Sequence, residues 1–509
     1  MKTLKWTLKN LIWNFLIVQK FRMNKPRHVP RPKDSARKIG RIPLCQRYPS
    51  IPISDILVAD YVSPDENSWT RLAACSLQAK FFYRYFPPRV PGLPPIGPDP
   101  VAAIDAAYTA GHRKFLPAPV IPAEYQQPVD LGWLAVAGPY FCYLRRTSEG
   151  GYEWDLQDLD RYEYHPGLRK LGVRVDFELD RTTRRLRAVA IDSEELGRAT
   201  PDDPTWEEAQ RLALCAATTH LSLIRHFNGI HLAMVAHFGI ATRNALHANH
   251  CLRRLLWPHV WGSHYSNELV TEILLTKGGD FEEIFSFTHD GLCKLFTDSY
   301  NNYDIRVIDP LFDAQDRDVS KDDLDLPALD NREAHFNVIH AHTRRYLDLY
   351  YSCDQDLRDD ASVRAWVDEL NRLVPNGVDG LLGDKLTIEG AARLVADYIY
   401  AGTVEHEVLG TGLWNYQLWT HVQPVRIYKN GQREPIDLYQ RLVNYNFMLN
   451  VSRAPMLQDL SYMAGNDKAG AAAFSTFLAE MAELQVRLKS EEDACWKICP
   501  AILEVSVNG

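Results

Sequence analysis

The feature that most constrains this chain of 509 residues is a helical periodicity that runs from residue 206 almost to the C-terminus. In this part apolar residues recur three and four positions apart, a spacing that places them on one face of an α-helix. Apolar residues make up 46% of the sequence, enough to fill a large core and to exclude a disordered or fibrous chain. The periodic stretches are residues 206–242, 264–278, 331–351, 361–373, 386–409, 436–449 and 470–488.

A different pattern, alternation of apolar and polar residues, occurs between residues 139 and 200. Two alternating runs flank the turn-rich sequence DRTTRR at residues 180–185, which is typical of a β-hairpin. We therefore predict a mainly α fold, one large helical domain with a small antiparallel β element.

The first 120 residues contain proline-rich connectors, among them FPPRVPGLPPIGPDP at residues 86–100, which can form neither helix nor central strand. The first 25 residues have the pattern of a basic amphipathic helix, which predicts either contact with a membrane surface or packing on its own domain. Their apolar run has eight residues, and a transmembrane helix needs about 20. We predict an N-terminal extension over residues 1–120 and a catalytic domain over residues 121–509.

Charge and cysteine usage limit the partners and the compartment. The formal net charge is −8, which argues against the phosphate backbone of a nucleic acid as the main partner. The nine cysteines include no Cys-x-x-Cys pair, which favours a reduced chain without a disulfide framework. We predict a cytoplasmic protein; if it contacts a membrane surface, the amphipathic N-terminus is the segment expected to do so.

Five histidines lie within 28 residues of one apolar helix: His220, His226, His231, His237 and His247. Residues five apart, such as His226 and His231, do not share a face of an ideal α-helix. They converge where the helix widens into a π-bulge, a distortion that is frequent at functional sites. Imidazole suits Zn, Cu, Fe or Ni, so the cluster predicts a metal site without choosing the metal.

Around this helix the chain resembles the lipoxygenases, and the resemblance extends over residues 125 to 509. The segments that carry it follow one another in the family's order. They are LAVAGPYFCYLRR (134–146), WEEAQ (206–210), His226-x4-His231, GIATR (239–243), HANH (247–250), LLWPH (255–259), YLDLYYSCDQDLRDDASVRAWVDEL (346–370), LVADYIYAGTVEHEVLGTGLWNYQLW (394–419) and PAILEVSVNG (500–509).

The resemblance implies a non-haem iron, or in some members manganese, held by two histidines of the long helix, a third from a later helix and the C-terminal carboxylate. His406 matches the third histidine, and Gly509 would supply the carboxylate. Ungapped counting from Trp206 places the first ligand at Leu221, one residue from His220, and the second at His226. Either His220 and His226 or His226 and His231 then bind the metal, and the flanking register slightly favours His220.

The resemblance also implies a reaction. Family members insert dioxygen into a polyunsaturated fatty acid and form a lipid hydroperoxide, with no catalytic groups beyond the metal ligands. Two departures open alternatives, because Gly410 and Gly509 stand where the family has a side-chain ligand and a terminal isoleucine. One alternative is a metalloenzyme with altered ligands that acts on a hydroperoxide or on a substrate outside the fatty acids. The other is a relative that binds lipid without catalysis.

Overall fold

The structure is a computed structural model, and it describes residues 129–412 as one continuous part. It further describes residues 44–45, 56–59, 62–63, 65–66, 416–432, 435, 438–443, 455–491 and 497–507. The predicted amphipathic helix lies outside the described residues, as does almost all of the predicted extension over residues 1–120. None of the described helices is both long and apolar enough to cross a membrane.

The β element is a five-stranded antiparallel sheet, and a separate two-stranded ladder joins β1 (Leu44–Cys45) to β2 (Val58–Ala59). The strands of the larger sheet are neighbours in sequence order: β3 (Arg145–Arg146), β4 (Tyr152–Asp155), β5 (Val173–Asp180), β6 (Arg185–Ser193) and β7 (Gly197–Ala199). The predicted hairpin is β5–β6, in which Asp180 faces Arg185 across the turn.

Helices form the rest of the described body, which confirms the prediction of a mainly α fold. They are α1 (Leu131–Val136), α2 (Trp206–His220), α3 (Ala236–Ala245), α4 (Cys251–Val260), α5 (Ser263–Leu274), α6 (Asp280–Ile284), α7 (His289–Asn301), α8 (Pro310–Asp316), α9 (Pro327–Leu347), α10 (Asp354–Asp359), α11 (Ala361–Leu373), α12 (Ile388–Tyr400) and α13 (Lys468–Ser490). Three π-helical segments are π1 (Leu221–Val235), π2 (Ala401–Glu405) and π3 (Val408–Gly412).

The sheet fixes the start of the long central helix. One face of β5 is buried through Val173, Val175 and Phe177, and this strand contacts α2. The helix α1 packs against β6, and Gly132 makes that approach possible. A Cβ at Gly132 would lie 2.0 Å from the carbonyl oxygen of Leu186, so only glycine fits there.

Two long helices form the centre of the body. The first is continuous from α2 through π1 to α3, and the second runs from α12 through π2 and π3. π1 contacts both π2 and π3, while α9 packs on α12 and on α13. The two helices therefore meet along their wide turns, in the buried middle of the chain.

A short N-terminal segment is tied to the central helix through Arg243. This guanidinium is 3% exposed, donates from Nε to Asp65 Oδ1 at 3.1 Å and forms an ion pair with Glu66. It also lies over the ring of Trp257. Glu66 in turn accepts the backbone N–H of Tyr265 at 2.8 Å. Asp65 and Glu66 are thus part of the same packed body.

Candidate metal centre

The wide turns of π1 bring His226 and His231 to the same side of the helix. In an α-helix five residues rotate about 140° beyond one full turn, which would point the two rings apart. In π1 the hydrogen bonds run to the fifth residue back, as in the bond from the N–H of Ala236 to the carbonyl of His231. The two ring centroids are 5.1 Å apart.

His406 completes a cluster of three imidazoles. It follows π2 directly, and its N–H reaches back to the carbonyl of Ala401, five residues earlier. Its ring centroid is 4.8 Å from that of His226 and 5.1 Å from that of His231. One ring nitrogen of each residue lies within 4.8 Å of the other two. We call His226, His231 and His406 the histidine cluster.

Asn267 sets the tautomer of His231. Its Nδ2 donates to the backbone carbonyl of His231 at 2.7 Å, so its Oδ1 faces the ring as an acceptor. Nδ1 of His231 lies 2.9 Å from that Oδ1 and therefore carries the proton. The lone pair is left on Nε2, which points to Nε2 of His406 at 3.2 Å. A hydrogen bond that orients a ligand in this way is common around metal sites.

The cluster is uncharged near neutral pH. Burial, and to a smaller degree the neighbouring His406 and His231, hold the pKa of His226 well below its usual range. Burial and His406 lower the pKa of His231 to about 3, and burial lowers the pKa of His406 to about 4. All three imidazoles therefore present lone pairs and no positive charge, which is the state a metal ion requires.

The donor set fits a transition-metal ion. Nε2 of His226 is buried without a hydrogen-bond partner in the described structure, which is costly unless another group occupies the space beside it. Two nitrogens held about 2.1 Å from one ion at right or tetrahedral angles lie about 3.0–3.4 Å apart, and the His231–His406 distance of 3.2 Å falls in this range.

His220 lies apart from the cluster, contrary to the register argument that favoured it. Its Nδ1 is 2.9 Å from the hydroxyl of Tyr143, and the two rings pack edge to face. The reason is physical: His220 ends α2, before the wide turns of π1 begin, so the geometry that brings His226 and His231 together does not extend to it. His237 is bonded to Tyr300, and His247 accepts the N–H of Asn249.

Gly410 lies next to the cluster. A Cβ at this position would be 3.3 Å from Cε1 of His226, so the residue four places after His406 does face the centre and offers no ligand atom. Gly509 lies outside the described residues. The last described residues of the chain lie beside π2, since a Cβ at Gly402 would be 3.9 Å from the side chain of Val507.

A cavity of about 470 Å³ adjoins the two central helices, a size within the usual range for ligand sites. Arg225, Glu405 and Leu409 line it, and they are the chain neighbours of His226, His406 and Gly410. Sequence reasoning did not find this cavity, since its other walls come from the sheet side of the chain and from α7. These walls have no sequence signal in common.

No protein-family model matches the sequence. A curated relative, the polyunsaturated fatty acid lipoxygenase ALOX15B of Rattus norvegicus, is 24% identical over 221 residues, which are 42% of this chain and 31% of that protein. The manganese lipoxygenase of Pleurotus sapidus is 21% identical over 235 residues, 45% of this chain and 36% of that protein. The chain thus matches about a third of the length of these relatives.

Among solved structures, a lipoxygenase in complex with arachidonate superposes with a TM-score of 0.70. The superposition covers 92% of this chain and 79% of that one at 14% sequence identity. Fold and site together define a helical protein in which wide helical turns gather three imidazoles, two of them buried and one partly buried. More narrowly, the chain has the lipoxygenase fold and is a divergent, lipoxygenase-like protein.

Proposed function

We propose that the protein is a non-haem metal dioxygenase of lipoxygenase type, which inserts dioxygen into a polyunsaturated fatty acid or a related lipid and forms a hydroperoxide. The single observation that carries the proposal is the convergence of three neutral imidazoles from two helices of the lipoxygenase fold, helices that also line a cavity. The relatives support an oxidoreductase of this class, and one of them is a manganese enzyme by name.

In this proposal His226, His231 and His406 hold the metal, and iron or manganese supplies one-electron chemistry with dioxygen when bound. His231 is held in the right tautomer by Asn267. The cavity positions the acyl chain along the helices that carry the cluster. The carboxylate of Gly509 remains a predicted further ligand, and His220 is assigned to the bond with Tyr143 instead.

Gly410 supports a second candidate function. Because no side-chain ligand is present at this position beside His226, the coordination set has one protein donor fewer than the family pattern. A reaction on a lipid hydroperoxide, or on a substrate outside the fatty acids, is the alternative that this observation favours.

The test is metal analysis combined with oxygen uptake. We expect protein produced with ferrous iron or manganese to contain about one metal ion per chain, and to consume oxygen with linoleate while a conjugated diene appears. His226→Ala is expected to lose both the metal and the activity. A protein that stays metal-free under these conditions contradicts the proposal. Metal without oxygen uptake, together with loss of an added linoleate hydroperoxide, favours the second candidate.

A further inference from the structure

The helix α5 supplies Asn267, the residue that orients His231, but its own N-terminus has no local side-chain cap. Gly262 stands at the N-cap in a left-handed conformation, with φ 94°, and makes no side-chain bond to the helix. Asn267 lies one helical turn after Ser263, the first residue of α5. The geometry of the first turn therefore determines where the amide group of Asn267 lies.

The cap of α5 is supplied by Glu66, a residue 199 positions earlier in the chain. Its Oε2 accepts the backbone N–H of Tyr265 at 2.8 Å. This is the third N–H of the helix, one of those that an N-cap side chain normally satisfies. A carboxylate at this end of a helix is also favoured by the helix dipole. Glu66 is 0% exposed, so water does not compete for the bond.

The same carboxylate is bonded to the central helix. Its Oε1 forms an ion pair with Arg243 of α3, which is continuous with π1. The helix α5 packs on both α3 and π1. Glu66 therefore joins the helix that carries His231 to the helix that carries Asn267. Asp65 pairs with the same guanidinium at 2.9 Å, but among the described residues it accepts no N–H of α5.

We propose that Glu66 is a positioning residue for the metal centre, because its cap on α5 holds Asn267 where the amide orients the ring of His231. The inference rests on the proposed function for the presence of a metal ion at the histidine cluster. Without the cap the first turn of α5 frays, and Oδ1 of Asn267 spends less time at the Nδ1 proton. The lone pair on Nε2 of His231 is then held less firmly toward the metal position, and metal affinity falls.

Two conservative variants separate the cap from the charge. Glu66→Asp keeps the charge but is one methylene shorter, so it no longer spans from Arg243 to the N–H of Tyr265. We expect this variant to bind Mn²⁺ about fivefold more weakly in competition with a chelator, the equivalent of one lost helix cap. Glu66→Gln keeps the length and an acceptor oxygen, and should stay within about twofold of the parent chain.

Asp65→Asn is the matched control. It weakens the pairing with Arg243 without touching the cap, and its affinity for Mn²⁺ should also stay within about twofold of the parent chain. If Asp65→Asn loses as much affinity as Glu66→Asp, the effect belongs to the docking of the N-terminal segment and the proposal is wrong.

The decisive measurement repeats Glu66→Asp in a chain that also carries Asn267→Leu. Because Glu66 acts through Asn267, its substitution should weaken Mn²⁺ binding no further in that background, whereas a purely structural effect would persist. A fivefold loss that persists beside Asn267→Leu overturns the proposal. Unchanged affinity of Glu66→Asp in the otherwise native chain overturns it as well.

A metal-free measurement keeps this inference apart from the proposed function. In the full chain with isotope-labelled histidine, we expect the Nδ1 proton of His231 to give a downfield NMR signal that Asn267→Leu broadens or removes. Glu66→Asp should broaden the same signal, and Glu66→Gln should not. A signal that is unaffected in Glu66→Asp contradicts the role of Glu66. If the signal responds as expected while the parent chain binds neither manganese nor iron, only the proposed function is wrong.

Discussion

At the scale of residues, the placement of individual side-chain nitrogen and oxygen atoms determines what the histidine cluster can bind. The x4 spacing of His226 and His231 and the family position of His406 were visible in the sequence, and so was the need for a widened helix. The choice between His220 and His231 was not visible in the sequence, because it depends on the residue at which the wide turns begin. Asn267 carried no signal in the sequence either. Its role follows from a tertiary contact across 36 positions of the chain.

The first prediction separates the two histidines that the sequence left in competition. We expect His231→Ala to lose its metal, because two imidazoles remain where three converge. His220→Ala is expected to keep it, since that ring is bonded to Tyr143. Metal content per chain after purification is the measurement. Equal metal loss in both variants argues against the assignment.

The second prediction concerns the orientation of His231. Asn267→Leu removes the acceptor of the Nδ1 proton, and we expect metal affinity to fall by roughly 10- to 100-fold. Asn267→Asp keeps an acceptor and should recover part of that loss. Competition with a chelator of known affinity gives the numbers. Unchanged affinity in the leucine variant would show that Asn267 does not orient the ligand.

At the scale of elements, helix caps and junctions were only partly predictable. Thr205 stands at the N-cap of α2, where threonine is a favourable residue, yet its side chain makes no capping bond. Asp360 is the stronger case. One of its oxygens accepts the N–H groups of Ser362 and Val363 at the start of α11. The other accepts from the hydroxyl of Tyr351 at 2.9 Å and lies 3.0 Å from Nε2 of His250.

The third prediction follows from this shared cap. Asp360→Ala removes the cap, leaves Nε2 of the buried His250 unpaired and takes one hydrogen bond from the buried Tyr351 hydroxyl, so we expect a loss of about 3 kcal/mol in the free energy of unfolding. Thr387→Ala at the start of α12 removes a cap that bonds only Gly390, and should cost about 1 kcal/mol. Denaturant titration of both variants checks the difference. Similar losses would mean that the bonds to His250 and Tyr351 contribute little.

The whole molecule is a helical body with many buried neutral histidines away from the cluster. The mainly α class and the β5–β6 hairpin followed from periodicity, because each pattern is local. The ion pairs of the buried Arg243 with Asp65 and Glu66 could not be predicted from periodicity, since they join residues more than 170 positions apart. Burial lowers the pKa of His237 and His342 to about 3, and the pKa of His259, His264 and His335 to about 4.

The fourth prediction is an acid-labile fold. An unfolded histidine titrates near 6.5, so between about pH 6.5 and pH 4 the unfolded chain binds more protons than the folded one. Stability therefore falls as the pH is lowered through this window, by up to about 1.4 kcal/mol per pH unit for each histidine that stays neutral. Unfolding midpoints in denaturant at about pH 7 and about pH 5 measure it. A midpoint that does not fall on acidification contradicts the neutral burial of these side chains.

A metal ion bound at the histidine cluster, as proposed, would couple the register of π1 to metal occupancy. Five residues in π1 complete little more than one turn, whereas the same five in an α-helix would swing His231 about 140° away from His226. An ion that binds only the π-helical conformation stabilises that conformation by a free energy that grows with the logarithm of the ion concentration. The concentration of the metal ion would then influence which backbone conformation the helix adopts. Backbone amides between residues 221 and 235 should exchange more slowly with solvent as the ion is added.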